Sequence, residues 1–464
     1  MSAGIRERLV LVVSVAGAML VALDGTVLLV AQPGLQRDLG ASVAQVQWTS
    51  TGYLVAVAAL LVIAGRLGDR YGHRRLLFAG VAGFGLASGG IAVAPGVGWV
   101  IGLRVAQGVF GALLQPATLA LLRPAYPADR LGTAVAVRTS AIGVAAAAGP
   151  VLGGLLVGQW GWRAVFWMNV PVALVLAVLV LALRVPAPPP AGDGRLDLVG
   201  AGLLALALGV FVETLSGVPG RGWTAAPTVW GLAAAAGLAG ALVVQERRSA
   251  QPIVPSAVAG SRSVTASMAM LMLISGGMFG ALFAATFVLQ DVVGLGPFAS
   301  GVRVLPLTVL MVLGAPVAAA ALRRYGPRRV AVSGVALVVL GLVGLSGLGP
   351  HSAWPVGGAA FAVLGAGFAA VMVTATGTVV GDAPPGYAGV VGGLKQTAVN
   401  VGPAFGIAVA ASMMFLKSAS GGPGSAGSAA ATGGALLVLA GIAALGLLPA
   451  GLLPGRPAPA GAAG

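Results

Sequence analysis

Fourteen long apolar runs follow one another along this chain, and they leave room for only one kind of fold. A helix needs roughly 20 apolar residues to cross a hydrocarbon core of about 30 Å. Read between polar breaks, the runs lie near residues 9–31, 43–65, 76–95, 98–122, 133–157, 164–184, 197–216, 227–245, 264–289, 299–321, 330–349, 355–380, 388–416 and 433–453. Composition leads to the same reading. Hydrophobic residues make up 58% of the 464 and charged residues only 8%, against about 25% charge in ordinary globular chains. A soluble fold of this size has too few charged side chains to clothe its surface, and disorder needs low hydrophobicity with high charge. The expected fold class is an all-α polytopic membrane protein.

The absence of cysteine removes disulfides, thiolate nucleophiles and cysteine metal sites. With two histidines, His73 and His351, a metal-dependent enzyme is not expected, nor any resident cofactor or metal. The net charge of +15 is read as helix-end arginine and not as a nucleic-acid surface. The first run follows Arg6 and Arg8 but is long and lacks a small-residue cleavage site, so it reads as a retained helix.

With a cytoplasmic N-terminus, 18 basic residues fall on the inner side and 5 on the outer, leaving Arg104, Arg138 and Lys395 inside apolar runs. The positive-inside rule then puts both termini in the cytoplasm. Two inner loops share a pattern: Arg70-Tyr71-Gly72-His73-Arg74-Arg75 and Arg324-Tyr325-Gly326-Pro327-Arg328-Arg329. This repeat suggests a duplicated six-helix unit with two helices inserted between the copies. The expected division is a bundle over 1–184, a linker with the two extra helices over 185–262, a second bundle over 263–453 and a disordered cytoplasmic tail over 454–464. The low-complexity stretch 418–434 is expected to be flexible.

Five motifs carry a family resemblance. Gly65-Arg66-Leu67-Gly68-Asp69-Arg70-Tyr71-Gly72-His73-Arg74 resembles the loop between helices two and three of the major facilitator superfamily. Leu23-Asp24-Gly25-Thr26-Val27 with Pro33 is similar to the helix-one signature of its fourteen-helix drug:proton antiporter branch. Arg104-Val105-Ala106-Gln107-Gly108 with Gly111 resembles the helix-four motif, and Trp162-Arg163-x-x-Phe166-x-x-Asn169-x-Pro171 fits the start of helix six. Gly149-Pro150-Val151-Leu152-Gly153-Gly154 resembles the antiporter signature of helix five, with Ala136 and Ala145 where the pattern has glycine.

The resemblance implies two six-helix bundles plus two inserted helices, alternating access, and proton-driven export of hydrophobic or amphipathic small molecules. It implies a multi-pass monomer in the bacterial inner membrane whose partners are protons, a small-molecule substrate and the bilayer. It also implies proton coupling at Asp24 and Arg104. Asp24 lies roughly 22 Å from the inner face and Arg104 roughly 9 Å from the outer, so their depths in the bilayer nearly coincide. A buried carboxylate is driven toward its neutral form by desolvation and toward its charged form by a nearby guanidinium. Moving Arg104 relative to Asp24 therefore loads or releases a proton; a static structural pair is the alternative.

Gly65, Gly68, Asp69, Arg70, Gly72 and Arg74 are the expected latch. Asp69 accepts hydrogen bonds at a helix N-terminus or pairs with a nearby arginine. Gln107, Lys395, Gln396 and Asn400 are candidates for the substrate cavity; Lys395 binds an acidic group or snorkels to the interface. Arg138 reads as another snorkelling side chain. Met268, Met270, Met272 and Met278 with Phe279, Phe283 and Phe287 form either an adaptable pocket wall or a lipid-facing strip. Uptake of an organic anion through Lys395 and Arg104, and export of one dedicated metabolite, stay open. A membrane enzyme or a channel is disfavoured, and no phosphate-binding G-x-x-x-x-G-K-[ST] loop is present.

Overall fold

A computed structural model describes residues 3–41, 43–183, 197–249, 252–295, 297–349, 353–383, 387–418 and 425–455. Among them are fourteen long helices and no strand. The first six are α1 (Ala3–Asp38), α2 (Val43–Tyr71), α3 (His73–Ala92), α4 (Val97–Ala120), α5 (Ala128–Trp160) and α6 (Arg163–Ala182). Then come α7 (Leu198–Arg221) and α8 (Ala226–Arg248). The last six are α9 (Arg262–Phe287), α10 (Pro297–Tyr325), α11 (Pro327–Leu345), α12 (Trp354–Gly381), α13 (Ala388–Ser418) and α14 (Ser425–Ala444). Thirteen of these are apolar enough over a sufficient length to cross a bilayer, and α5 is the remaining long helix.

Each expected apolar run falls on one of these helices, because a chain without water must bond its backbone internally and the helix does so within one segment. Pro116, Pro171, Pro306, Pro316 and Pro403 all lie inside helices, which membrane bundles tolerate by packing neighbours against the freed carbonyls. Of the stretch 418–434, expected to be flexible, the residues from Ser425 are helical, as their alanine content favours, and residues 419–424 lie outside the described residues. Residues 185–196 of the expected linker segment and the tail beyond residue 455 lie outside the described residues.

Helix pairing is repeated across the chain. In the first six helices α1 packs on α5, α2 on α4, α3 on α4 and α3 on α6. In the last six, α9 packs on α13, α10 on α12, α11 on α12 and α11 on α14 in the same order. The two Arg-Tyr-Gly loops also match in detail. Gly72 and Gly326 both hold a left-handed φ, +95° and +80°, which suits glycine. Arg70 and Arg324 lie over the rings of Tyr71 and Tyr325 at 5.6 and 5.3 Å.

The halves meet through α2 against α13 and α5 against α10, with α4 touching α13. The extra pair is held asymmetrically. α7 lies against α8, α2 and α13 and so touches both halves, sharing an apolar cluster of Val62, Ala201, Leu204, Ile253 and Val390. On α8 only Thr228 and Ala235 are buried. The methionine–phenylalanine stretch of α9 divides: Met270 and Met278 are core, whereas Met272, Phe279 and Phe287 face outward.

Candidate functional site

Asp24 comes from the middle of α1 and Arg104 from the first third of α4, 80 residues away. Each is 1% exposed, and an Arg104 guanidinium nitrogen stands 2.6 Å from Asp24 Oδ2. The same nitrogen donates to Gln107 Oε1 at 2.6 Å. The Gln107 amide donates to Asp24 Oδ1 at 3.2 Å and to Ser88 Oγ at 2.7 Å. Asn169 of α6 donates to Asp24 Oδ1 at 2.8 Å. Arg104 Nε donates to the Thr49 carbonyl at 2.9 Å, and its guanidinium lies 4.4 Å from the centre of the Tyr53 ring.

Five helices therefore contribute to one network around this carboxylate: α1, α2, α3, α4 and α6. Two charges out of water are tolerable only when their remaining hydrogen-bonding capacity is met, and loss of either partner strands the other. Two atoms at the rim of the network, Tyr53 Oη and Asn169 Oδ1, are buried without a partner. Gln107, a candidate for the substrate cavity, belongs to this network.

The glycines of the helix-five motif pack beside it. A Cβ on Gly149 would run into Thr26 Oγ1, two residues from Asp24, and one on Gly153 would meet Val27 at 3.0 Å. Gly154 faces open space. Pro150 lies within α5. The glycines thus let α5 ride directly on α1 at the level of the carboxylate.

A second group closes the end of the bundle that carries the Arg-rich loops. Asp69 accepts from the Gly389 and Val390 amides at 2.7 and 2.9 Å. Those amides open α13 in the other half, so a carboxylate caps a helix N-terminus across the interface. His73 Nε2 lies 3.0 Å from Asp69 Oδ1, and the His73 ring fills the space above Gly68. Gly65 and Gly389 meet so closely that a Cβ on either would strike the other's carbonyl oxygen. Arg66 lies 5.3 Å from the centre of the Tyr387 ring. Arg123 donates to the Ala383 and Gly381 carbonyls, and Arg323 donates to Thr133. Arg74 bonds within its own half, to the Val180 and Leu181 carbonyls. Contacts between the halves continue to mid-helix, where Ser140 donates to the Val312 carbonyl and Ala58 shares a cluster with Val401.

A third polar group lies between these two. Lys395 is 2% exposed; its ammonium reaches Gln396 Oε1 at 3.5 Å, and Gln396 donates to Asn400 at 3.2 Å. Arg138 does not snorkel. It is 3% exposed, donates to Thr118 Oγ1 at 3.1 Å and leaves Nε without a partner. The expectation failed because Arg138 projects against α4 and not toward lipid or the helix end. No group of His, Cys, Asp and Glu able to hold a metal occurs among the described residues.

Several participants escape sequence reading. Ser88 and the Thr49 carbonyl carry no signal in the chain. Asn169 does, as the one amide in an otherwise apolar helix, and His73 does through its four-residue spacing from Asp69.

Comparison with known proteins accords with this geometry. Residues 15–407 match the family model described as the Major Facilitator Superfamily. A tetracenomycin C resistance and export protein of Streptomyces glaucescens is 41% identical over 398 residues, covering 86% of this chain and 74% of that protein. A puromycin resistance protein of Streptomyces alboniger is 34% identical over 416 residues, covering 86% and 80%. In fold, the proton:xylose symporter XylE superposes with a TM-score of 0.65 at 16% identity, covering 96% of this chain and 95% of that one.

Proposed function

The chain belongs to the Major Facilitator Superfamily, and on that premise we propose that it exports hydrophobic or amphipathic antibiotic-like molecules in exchange for protons, by alternating access. The observation that carries this reading is the fully buried Asp24–Arg104 pair, set in a network drawn from five helices. Ionisable groups at such depth are costly and mark proton or substrate pathways. The two antibiotic-resistance relatives supply the substrate class and the outward direction.

The bundles over 1–184 and 263–453 move against each other, and both termini face the cytoplasm with the Arg-rich loops. The arrangement described above is then the state sealed against the cytoplasm, with Asp69 latched to the start of α13. Protonation of Asp24 cancels the charge that Arg104, Gln107 and Asn169 surround. Arg104 keeps the Thr49 carbonyl and the Tyr53 ring but loses its counter-ion, so α1 and α4 are free to shift. Gly149 and Gly153 couple that shift to α5, which forms the interface with α10. Release of the proton restores the pair and resets the carrier. The segment 185–262 adds the two peripheral helices, 454–464 is a cytoplasmic tail, and the transporter works as a monomer in the bacterial inner membrane.

Inside-out vesicles energised by respiration test the proposal with a panel of dyes and antibiotics. Accumulation that collapses with a protonophore, and is missing in Asp24→Asn, is the expected result. Gradient-driven accumulation by Asp24→Asn at the wild-type rate refutes proton coupling at this carboxylate. Accumulation in intact cells in place of vesicles refutes export and favours uptake.

A further inference from the structure

Arg138 and Lys395 stand where the halves join, and neither forms an ion pair among the described residues. Arg138 projects from α5 in the first half and Lys395 from α13 in the second. The two meet near one point of contact. Gly392, one turn before Lys395, rests on Pro116 of α4, and Thr118, two residues beyond Pro116, holds the Arg138 guanidinium.

Two like charges in the same dry junction repel, and each has lost its hydration, which costs several kcal/mol per ion in a protein interior. Such a group normally acquires a counter-ion. Four of the carboxylates are engaged elsewhere. Glu7 is bridged to Arg130, Asp24 to Arg104 and Glu213 to Arg221, and Asp69 is bound to the α13 backbone. The side chains that accept from the two cations are neutral: Thr118 from Arg138, and Gln396, itself bonded to Asn400, from Lys395. Arg138 Nε has no partner although it is buried, and Lys395 has a single long hydrogen bond. The donors in hand exceed the acceptors, and both halves contribute to the excess.

We propose that Arg138 and Lys395 form a two-sided anion site that takes the acidic group of a transported organic molecule, such as a carboxylate or phenolate. The anion supplies the missing counter-charge. Being shared between α5 and α13, it is gripped while the halves are together at this level and loses one of its two cations when they separate. The site selects acidic compounds over cationic ones of the same size, because a cation there would add a third like charge. The reading rests on the export function only in naming the ligand as the transported molecule.

The test uses full-length purified protein and two probes with a common xanthene framework, fluorescein as the anion and rhodamine 123 as the cation. Binding is read by fluorescence polarisation without a proton gradient. Wild type is expected to bind fluorescein about tenfold or more tightly than rhodamine 123. Arg138→Gln and Lys395→Gln should each weaken fluorescein about tenfold or more, the loss of one charged hydrogen-bond donor. Lys395→Arg should retain most of the affinity, and Lys395→Glu should turn the preference toward rhodamine 123. Each variant is first required to elute as wild type on size exclusion. Equal binding of the two probes by wild type, or fluorescein affinity unchanged in both Gln variants, overturns the site. Failure of vesicle export with charge-dependent fluorescein binding intact would sink the export reading and leave the anion site standing. Export of cationic dyes without fluorescein binding would do the reverse.

Discussion

Removing the Asp69 carboxylate should open the basic end of the bundle by a calculable amount. Asp69→Ala deletes two hydrogen bonds, to Gly389 N and Val390 N, that cross between the halves at 2.7 and 2.9 Å. The Asp69 side chain is only 6% exposed, so water replaces it poorly while the halves stay together. A hydrogen bond to a charged group contributes about 1.5–3 kcal/mol net, and one at a helix terminus toward the lower end. Together the two are worth about 3–4 kcal/mol to the closed state and nothing to a state in which α2 and α13 have parted. The closed-to-open ratio should therefore fall about 140- to 700-fold, at 1.4 kcal/mol per decade. Asp69→Asn keeps one neutral acceptor and should lose roughly half of that free energy. The absence of cysteine makes the measurement direct. Spin labels at Arg75→Cys on α3 and Arg329→Cys on α11, both exposed beside the Arg-rich loops, report the separation of the halves by pulsed electron resonance. The wild-type background should give one short-distance population, and Asp69→Ala should shift weight to a longer one. An unchanged distance distribution in Asp69→Ala would refute the latch, whatever happened to transport.

Other substitutions test the remaining contacts. Gly149→Val should lower the melting temperature and block transport. Its branched side chain meets Thr26 on α1, an overpacking cost of about 1–3 kcal/mol, whereas Gly154→Val faces open space and should be nearly silent. Arg104→Lys keeps the charge but cannot serve Asp24, Gln107 and the Thr49 carbonyl together. It should cost about 1–3 kcal/mol of thermal stability and slow gradient-driven exchange more than substrate binding. At the opposite end from the latch, the Trp162 indole and then Arg163 hold the Asp38 carboxyl below the ordinary carboxylate value of 3.8. A depressed folded-state pKa stabilises the protein above the unfolded value and loses that contribution as pH falls through the folded one. Asp38→Asn should therefore melt earlier than wild type at pH 7, and the gap should close only below about pH 4. A gap that persists unchanged at pH 3 would exclude that ion pair as its source.

Much of the architecture was legible in the chain because it depends on local quantities. The length of an apolar run decides whether a helix can cross the membrane, so all fourteen helices could be counted. The two Arg-Tyr-Gly loops announced the duplication, and each glycine does take the left-handed φ that the tight turn requires. Asp24 and Arg104 stood out as charges in apolar surroundings, and simple rise per residue brought them to one depth. Which face of a helix meets a partner was not legible. Lipid and protein interior are both apolar, so hydropathy is blind to the difference that buries Arg138 against Thr118. It is equally blind to the face that brings Asn169 and Gln107 onto Asp24. The rotation of each helix about its axis and the register between helices are fixed by close packing at contacts such as Gly149 on Thr26 and Gly65 on Gly389. Those contacts join segments far apart in sequence. The chain alone therefore specified the helices and their charged residues, and only the packed bundle decided which of those residues met.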